Sequence, residues 1–406
     1  MTRVWVGLAV AGVLAFGAAA CGSDDDSDTA STAASTAAAP AATETTASAP
    51  ATDAADDAGR TQRAVDAAKQ AVENEGGKAT VPQGKKVAIL DLVGTAESSK
   101  RMSDTTKAVA KAFGWQVLSF DSGGDPDKAA ANAQSAVNQG ADAIINVSVT
   151  PALETQGLKA AADKGIPVVN ISNLVQAAPG QLTAQYTNQN VDGMLALAKV
   201  MNEKVPNDSQ IGLFETPLLY GTSLGVKALK AENDKTYHWD IVQDTEVDLA
   251  DIEGAVTRGM NALLGTHPDV KGILIDLSPG FNLGGQVLKT RNQCGKIPLY
   301  GAGDDLINLK TIRDGCGTAL FAPPFEATAM IAMDQLAEYF ARDKKPADIP
   351  ADDEAVEKVY TIDLLPPAIV TADNLPPEGE YATPTEDYRA FFKTKWADEF
   401  GVTAPE

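Results

Sequence analysis

Small hydroxyl, amide and carboxylate side chains, with a few aromatics, gather in the segments that follow each apolar run of this sequence. Thr95, Glu97, Ser98, Ser148 and Asn173 hold such positions in one half, and Tyr220, Asp276, Ser278, Phe281 and Asp304 in the other. Phe325 follows a proline pair further on. Carboxylates and amides hydrogen-bond hydroxyl groups, while Tyr220, Phe281 and Phe325 can face an apolar ring or C–H surface. The chemistry is that of holding a small molecule, and no residue is assigned a catalytic role. Each position also has a plainer use in loop capping or rim packing. For Asp304, beside Asp305, capping a helix N-terminus is the stronger single reading.

Bond-making chemistry finds little support. Gly221-Thr222-Ser223-Leu224-Gly225 matches the Gly-x-Ser-x-Gly turn of hydrolases, which needs a strand running straight into the serine. Here the strand ends at Phe214, and the two histidines, His238 and His267, each precede a strand, at the edge opposite Ser223. A serine hydrolase using Ser223 therefore stands only as a remote alternative. No Gly-x-x-x-x-Gly-Lys-Ser/Thr loop occurs, and Gly94-Thr95-Ala96-Glu97 lacks the glycines of a dinucleotide site. Neither histidine falls in a metal-ligand spacing, so neither cofactor nor metal is expected.

The elements that must position these residues form a repeat. Lys86-Val-Ala-Ile-Leu-Asp91, Trp115–Phe120, Ala141–Asn146 and Ile166–Ile171 are short apolar strands separated by helix-length segments. Gln210–Phe214, Trp239–Val242, Lys271–Asp276 and Ile297–Tyr300 repeat the pattern, followed by Thr318–Phe321. Strands apolar on both faces need helices on both sides, so the fold class is α/β, two doubly wound parallel-sheet lobes. Asp125-Pro126-Asp127 reads as a helix cap with proline and acid in the first turn, not as a calcium loop. Trp115 and Trp239 open strands, at the edge away from the loops, and read as packing. Crossings between lobes are expected at Ala184–Gln189, ahead of a helix from Gly193 to Lys204, and at Ala322-Pro323-Pro324, ahead of a helix from Glu326 to Ala341. A third falls near Lys358, before a strand from Val359 to Leu365. Three connections make a stiff hinge that opens by rigid-body motion. The first lobe then takes 85–187 and 324–358, and the second 188–323 and 359–376. The tail, 377–406, ends in a short aromatic helix from Tyr388 to Phe400, whose Phe391, Phe392, Trp396 and Phe400 either pack back on a lobe or offer a partner surface.

At 406 residues, 44% hydrophobic and 6% aromatic, the chain can bury two ordinary cores. Its formal charge of −22 argues against nucleic acid or anionic lipid as the main partner. The start, Met1-Thr-Arg3 followed by an apolar run from Val4 to Phe16, is too short to span a membrane and reads as a leader over 1–20. Ala18-Ala19-Ala20-Cys21 resembles a bacterial lipobox, departing at Ala18 where leucine is usual. The resemblance implies cleavage before Cys21 and lipidation of its sulfur, which tethers the protein to the cell membrane from outside; plain secretion is the alternative. Residues 21–60, rich in Ala, Thr, Ser and Asp, form a disordered tether, and 61–84 a helical extension. Cys294 and Cys316 each lie just before a strand of the second lobe, on neighbouring strands, so an exported protein could join them as a disulfide; two separate buried thiols is the other reading.

Lys86-Val-Ala-Ile-Leu, Gly114-Trp115, Gly140-Ala-Asp-Ala-Ile-Ile, Lys164-Gly-Ile-Pro-Val-Val and His267-Pro-Asp-Val-Lys-Gly-Ile together resemble the ribose-binding-protein-like family of type I periplasmic solute receptors. The similarity runs from about Lys85 to Leu365. It implies a hinge-closing, monomeric receptor that delivers a small solute to the permease of an ATP-driven importer. The chain departs from the sugar binders where ligand is touched. Thr95-Ala96-Glu97-Ser98-Ser99 replaces asparagine and stacking aromatics, Ser172-Asn173 replaces Asp-Arg, no arginine lies around Tyr220 to Gly225, and Leu277-Ser278-Pro279 replaces Asn-Asp. Ribose itself is not expected. A neutral sugar- or polyol-like solute ranks first, and an amine or partly apolar solute second, sensed by a receptor of the same fold that signals to a membrane partner.

Overall fold

The computed structural model describes residues 77–188, 190–346, 368–382 and 387–403. The leader, Cys21, the tether, most of the helical extension and the expected strand from Val359 to Leu365 lie outside the described residues. Strand β1 (Lys86–Asp91) leads through helix α1 (Glu97–Ala112) to β2 (Gln116–Asp121), and α2 (Pro126–Asn138) leads to β3 (Ala143–Val147). Helix α3 (Thr155–Asp163) then connects to β4 (Val168–Ser172), which is followed by β5 (Ala184–Thr187). All five strands are parallel, in the order β2-β1-β3-β4-β5. The polar segment from Ala184, expected as a crossing, is the fifth strand of this sheet, and the chain leaves the lobe only after Thr187.

After α4 (Asn190–Asn202) the path repeats: β6 (Gln210–Glu215), α5 (Tyr220–Glu232), β7 (Asp240–Glu246), α6 (Ile252–Thr266) and β8 (Gly272–Ile275). Helix α7 (Ser278–Thr290), β9 (Leu299–Ala302), α8 (Leu306–Arg313) and β10 (Ala319–Ala322) complete the series. The second sheet runs β11-β10-β9-β8-β6-β7, the same permutation with one addition. That addition is β11 (Ala368–Thr371), antiparallel to β10, in a stretch where the flanking prolines hid it.

The central strands β3, β4, β8, β9 and β10 are buried at every residue, as strands covered on both faces must be. The edge strands β2 and β7 are partly exposed along their length, because each has a neighbour on one side only. Asp125 caps α2, its side chain accepting from the Asp127 and Lys128 amides with Pro126 in the first turn. Trp115 and Trp239 are buried at the N-terminal strand edges, their indole N–H groups donating to the Pro82 and Val205 carbonyls. Cys294 and Cys316 form a disulfide, with Cα atoms 4.3 Å apart, that ties the end of α7 to the start of β10.

Helix α9 (Phe325–Arg342) follows β10 of the second sheet but packs on α1, β4 and β5 of the first. Helix α10 (Asp387–Phe400) lies against α9, and Tyr388, Phe392 and Trp396 are fully buried in the first lobe's core, with Phe400 buried nearby. The aromatic stripe of the tail is therefore core.

Candidate functional site

The C-terminal ends of both sets of strands face each other across a cleft that holds a cavity of about 110 Å³. That is several times the 10–15 Å³ one water needs. The first lobe contributes the turns after β1, β3 and β4, and the second those after β6, β7, β8 and β9. Open parallel sheets place ligands at such ends because loops and helix N-termini converge there.

Six of the residues expected at the site line the cavity: Ser98, Ser148, Asn173, Asp276, Ser278 and Phe325. Ser148 and Ser172 adopt left-handed backbone angles, φ 63° and 76°, at the ends of β3 and β4. Such angles cost a non-glycine residue about 1–3 kcal/mol and persist only where the surroundings enforce them. Here Asn146, buried in β3, donates to the Val149 carbonyl and to Glu154 and accepts from the Val149 amide, fixing the turn. Ser148 Oγ in turn accepts from the Asn173 amide at 3.3 Å. Asp276 accepts from the backbone amide and hydroxyl of Thr216, both at 2.8 Å.

The other five expected residues stand elsewhere. Thr95 is exposed in the turn before α1, and Tyr220, half-buried at the start of α5, does not line the cavity. Phe281 is fully buried on α7 against Gly301 and Gly317, because the inner face of that helix covers the second sheet. Glu97 reaches across to the second lobe, accepting from the Leu306 amide at 3.2 Å and from the Tyr381 hydroxyl at 2.8 Å. The helix cap read at Asp304 and Asp305 is thus supplied by Glu97. Asp304 is paired at 2.7 Å with Arg101 of α1, and Asp305 accepts from the Ser278 hydroxyl at 2.7 Å.

Sequence reasoning places Arg101, with Lys100, at the loop positions after β1 but assigns it no role. It is buried, forks onto Glu326 of α9 at 2.8 and 2.9 Å, bonds Asp304 of the second lobe, and stacks on the Tyr381 ring at 3.7 Å. Asn188, Asn190 and Thr222 line the cavity too. The first two stand just after β5 and at the start of α4, and sequence reasoning assigned neither of them a site role. Asn173 Oδ1 accepts from Asn190 at 3.0 Å and from Thr222 at 3.1 Å, so amides and a hydroxyl from both lobes meet.

The Gly-x-Ser-x-Gly motif has a packing explanation. The Gly221 amide donates to the Leu174 carbonyl across the cleft at 3.1 Å, and a Cβ there would stand 2.8 Å from the Leu174 nitrogen. A Cβ at Gly225 would stand 2.7 Å from the Asn190 carbonyl oxygen. Ser223 sits inside the first turn of α5, away from any strand-to-helix elbow. Among the described residues no group of His, Cys, Asp or Glu could hold a metal ion.

Burial pushes the Asp276 carboxyl up to about 7 against the pull of Thr216, Asp305 to about 6 against its bond from Ser278, and Asp91 to about 6 against Ser103. Glu154 is pushed by burial to about 8. Between the ordinary carboxylate range near 4 and these values the folded chain binds more protons than the unfolded one, so stability falls as pH rises. Asp251 and Asp314, held low by Arg258 and Lys310, act in the opposite sense but below 3.8, outside that window. The melting temperature is expected to drop steadily from pH 5 to pH 8 in a calorimetric series, and Glu154→Gln should flatten its upper end. A melting temperature that climbs over this range would contradict the assignment.

Residues 92–345 match the family model of the periplasmic binding protein domain. The chain belongs to that family. Solved structures share the fold of this binding protein. An ABC transporter solute binding protein from Mycobacterium smegmatis with bound glycerol has a TM-score of 0.60 at 19% identity, over 74% of this chain and 99% of that one. One from Agrobacterium vitis with bound D-fucose has a TM-score of 0.61 at 18% identity, over 72% and 97%. An ABC sugar transporter subunit from Rhodobacter sphaeroides 2.4.1 has 0.60 at 17%, over 72% and 99%. No curated protein matches the sequence. Periplasmic binding proteins work outside the cytoplasm, and among the described residues no helix is long and apolar enough to cross a membrane.

Proposed function

We propose that this binding protein captures an uncharged sugar- or polyol-like solute between its lobes and delivers it to the permease of an ABC importer, without altering it. The observation that carries the reading is the cavity itself. Hydroxyls and amides from both lobes line it, and among the described residues Asp276 is the one ionisable group in its lining. An anionic solute would want a fork of guanidinium donors, and the nearby Arg101 is already committed to Glu326 and Asp304. Glycerol and D-fucose in proteins of the same fold agree with the solute class. The division into 85–187 with 324–358 and 188–323 with 359–376, the lipid on Cys21 and the monomeric state belong to the same proposal.

Closing the cleft on solute would present both lobes together to the permease. Thermal-shift screening of the full chain against sugars, polyols, amines and aromatic acids tests the reading. A neutral sugar or polyol at a hundred times its Kd should stabilise the fold by about 2.7 kcal/mol. Stabilisation by amines or acids alone, or recovery of the bound compound in altered form, would overturn it.

A further inference from the structure

The cavity is polar at one end and aliphatic at the other. Ser172, Asn173, Asn188 and Thr222 gather where β4 and β5 end. Away from them Leu92 and Val93, after β1, stand with Leu249 and Ile252, between β7 and α6, with Ser98 and Ser99 of α1 also in the lining. These belong to a hydrophobic cluster that runs unbroken from one lobe to the other, joining Leu90 and Leu92 to Leu219, Val247 and Leu277, with Val93, Leu249 and Ile252 packed against it. A cleft that must part to admit solute would lay this seam open to water. Its aliphatic surface is regained at closure only if the occupant presents carbon to it. A hydroxyl pressed on those four side chains would shed its water and find no partner among them.

The polar end carries a complementary demand. Asn188, a residue of the cavity lining, is buried, 5% exposed, and its side-chain oxygen has no hydrogen-bond donor among the described residues. Its amide nitrogen is directed to the Ser172 hydroxyl. A buried acceptor left open in this way calls for a donor from the solute.

We infer that the solute is a deoxy or alkyl-bearing sugar or polyol, seated with a methyl or methylene face on Leu92, Val93, Leu249 and Ile252 and a hydroxyl donating to Asn188 Oδ1. The inference rests on the proposed function and narrows its substrate class. Fully hydroxylated sugars are the poorer ligands of this cleft.

Calorimetric titration of the full chain with matched pairs differing only as CH3 against CH2OH tests it: fucose and galactose, rhamnose and mannose, quinovose and glucose, and 1,2-propanediol and glycerol, in both enantiomeric series where they exist. In the pair that binds, the deoxy member should bind about ten- to a hundredfold more tightly, the range one apolar group commands in a hydrophobic pocket. Leu249→Ser and Ile252→Ser, both in half-exposed loop or first-turn positions and checked for native melting, should bring that ratio toward one. Equal or tighter binding of the hydroxylated member overturns the inference and leaves the proposed function standing. A deoxy preference that survives both substitutions removes the seam as its cause and overturns the assignment. Binding by no member of any pair overturns the inference together with the proposed function.

Discussion

Trp396→Ala is expected to destabilise the folded chain by about 3–5 kcal/mol, the cost of emptying a large aromatic site in a core that cannot collapse around the gap. Trp396 is fully buried, with its ring centroid 5.2 Å from Phe113 in an edge-on contact and 5.3 Å from Phe392. Its indole N–H also donates to Asp334 Oδ1 at 2.8 Å. Asp334 lies on α9, fully buried, and takes its counter-charge from Lys395 at 2.6 and 2.7 Å. Helix α10 thus supplies a buried ring, a donor and a cation to the first lobe. Lys395→Met should cost a comparable amount by leaving the Asp334 carboxylate buried without its ion. Urea unfolding followed by tryptophan fluorescence and circular dichroism measures both. A loss under 0.5 kcal/mol for either variant would mean that α10 is an ornament on the lobe rather than part of its core. Since α10 lies beyond the residues matched by the family model, 92–345, the result also tells whether this chain's first lobe is complete without its C-terminal addition.

Arg101→Met carries the second large effect, and it is one of closure as well as stability. Arg101 and Glu326 belong to one lobe, whereas Asp304 belongs to the other. Removing the guanidinium strands two buried carboxylates, for which about 3–5 kcal/mol is the usual range. The part that falls on Asp304 exists only while the lobes are together, so it is withdrawn from the closed form. If that part is about 3 kcal/mol, solute affinity drops roughly a hundredfold. Asp304→Asn separates the two contributions, because it weakens the bond across the cleft and leaves the Arg101–Glu326 fork in place. It should lower affinity and raise the radius of gyration of the solute-bound protein in small-angle scattering, with little change in the urea midpoint. Unchanged affinity and scattering in both variants would show that Arg101 holds the first lobe together and has no part in closing the cleft.

The strands were readable because local composition decides them. A run such as Ala143–Val147 has no exposed face to accommodate a polar residue other than Asn146, whose amide is consumed by the turn it builds. The same logic missed β5 and β11. Ala184–Thr187 carries Gln185 and Thr187 in alternation with buried residues, and Ala368–Thr371 is an edge strand bracketed by prolines. Neither is apolar on both faces, since each closes a sheet edge.

The site was half readable, for a related reason. Residues that directly follow a strand, such as Ser148, Asn173, Asp276 and Ser278, are delivered to the cleft by topology alone. Residues one helical turn further on depend on how the helix lies. Phe281 turned into the second sheet, and Glu97 and Arg101 turned toward the opposite lobe.

From its order of residues alone, then, the chain settled the α/β architecture, the repetition of one strand-and-helix series and the end of each sheet at which the cavity lies. Hydrophobic periodicity and turn chemistry act over a few residues, and both are written in the sequence. Which carboxylate pairs with Arg101, which lobe Glu97 caps, and where the cavity turns from amide to aliphatic were decided by folding. Those contacts join residues some two hundred positions apart, such as Arg101 and Asp304, and their energies depend on distance and burial that exist only when the two lobes meet.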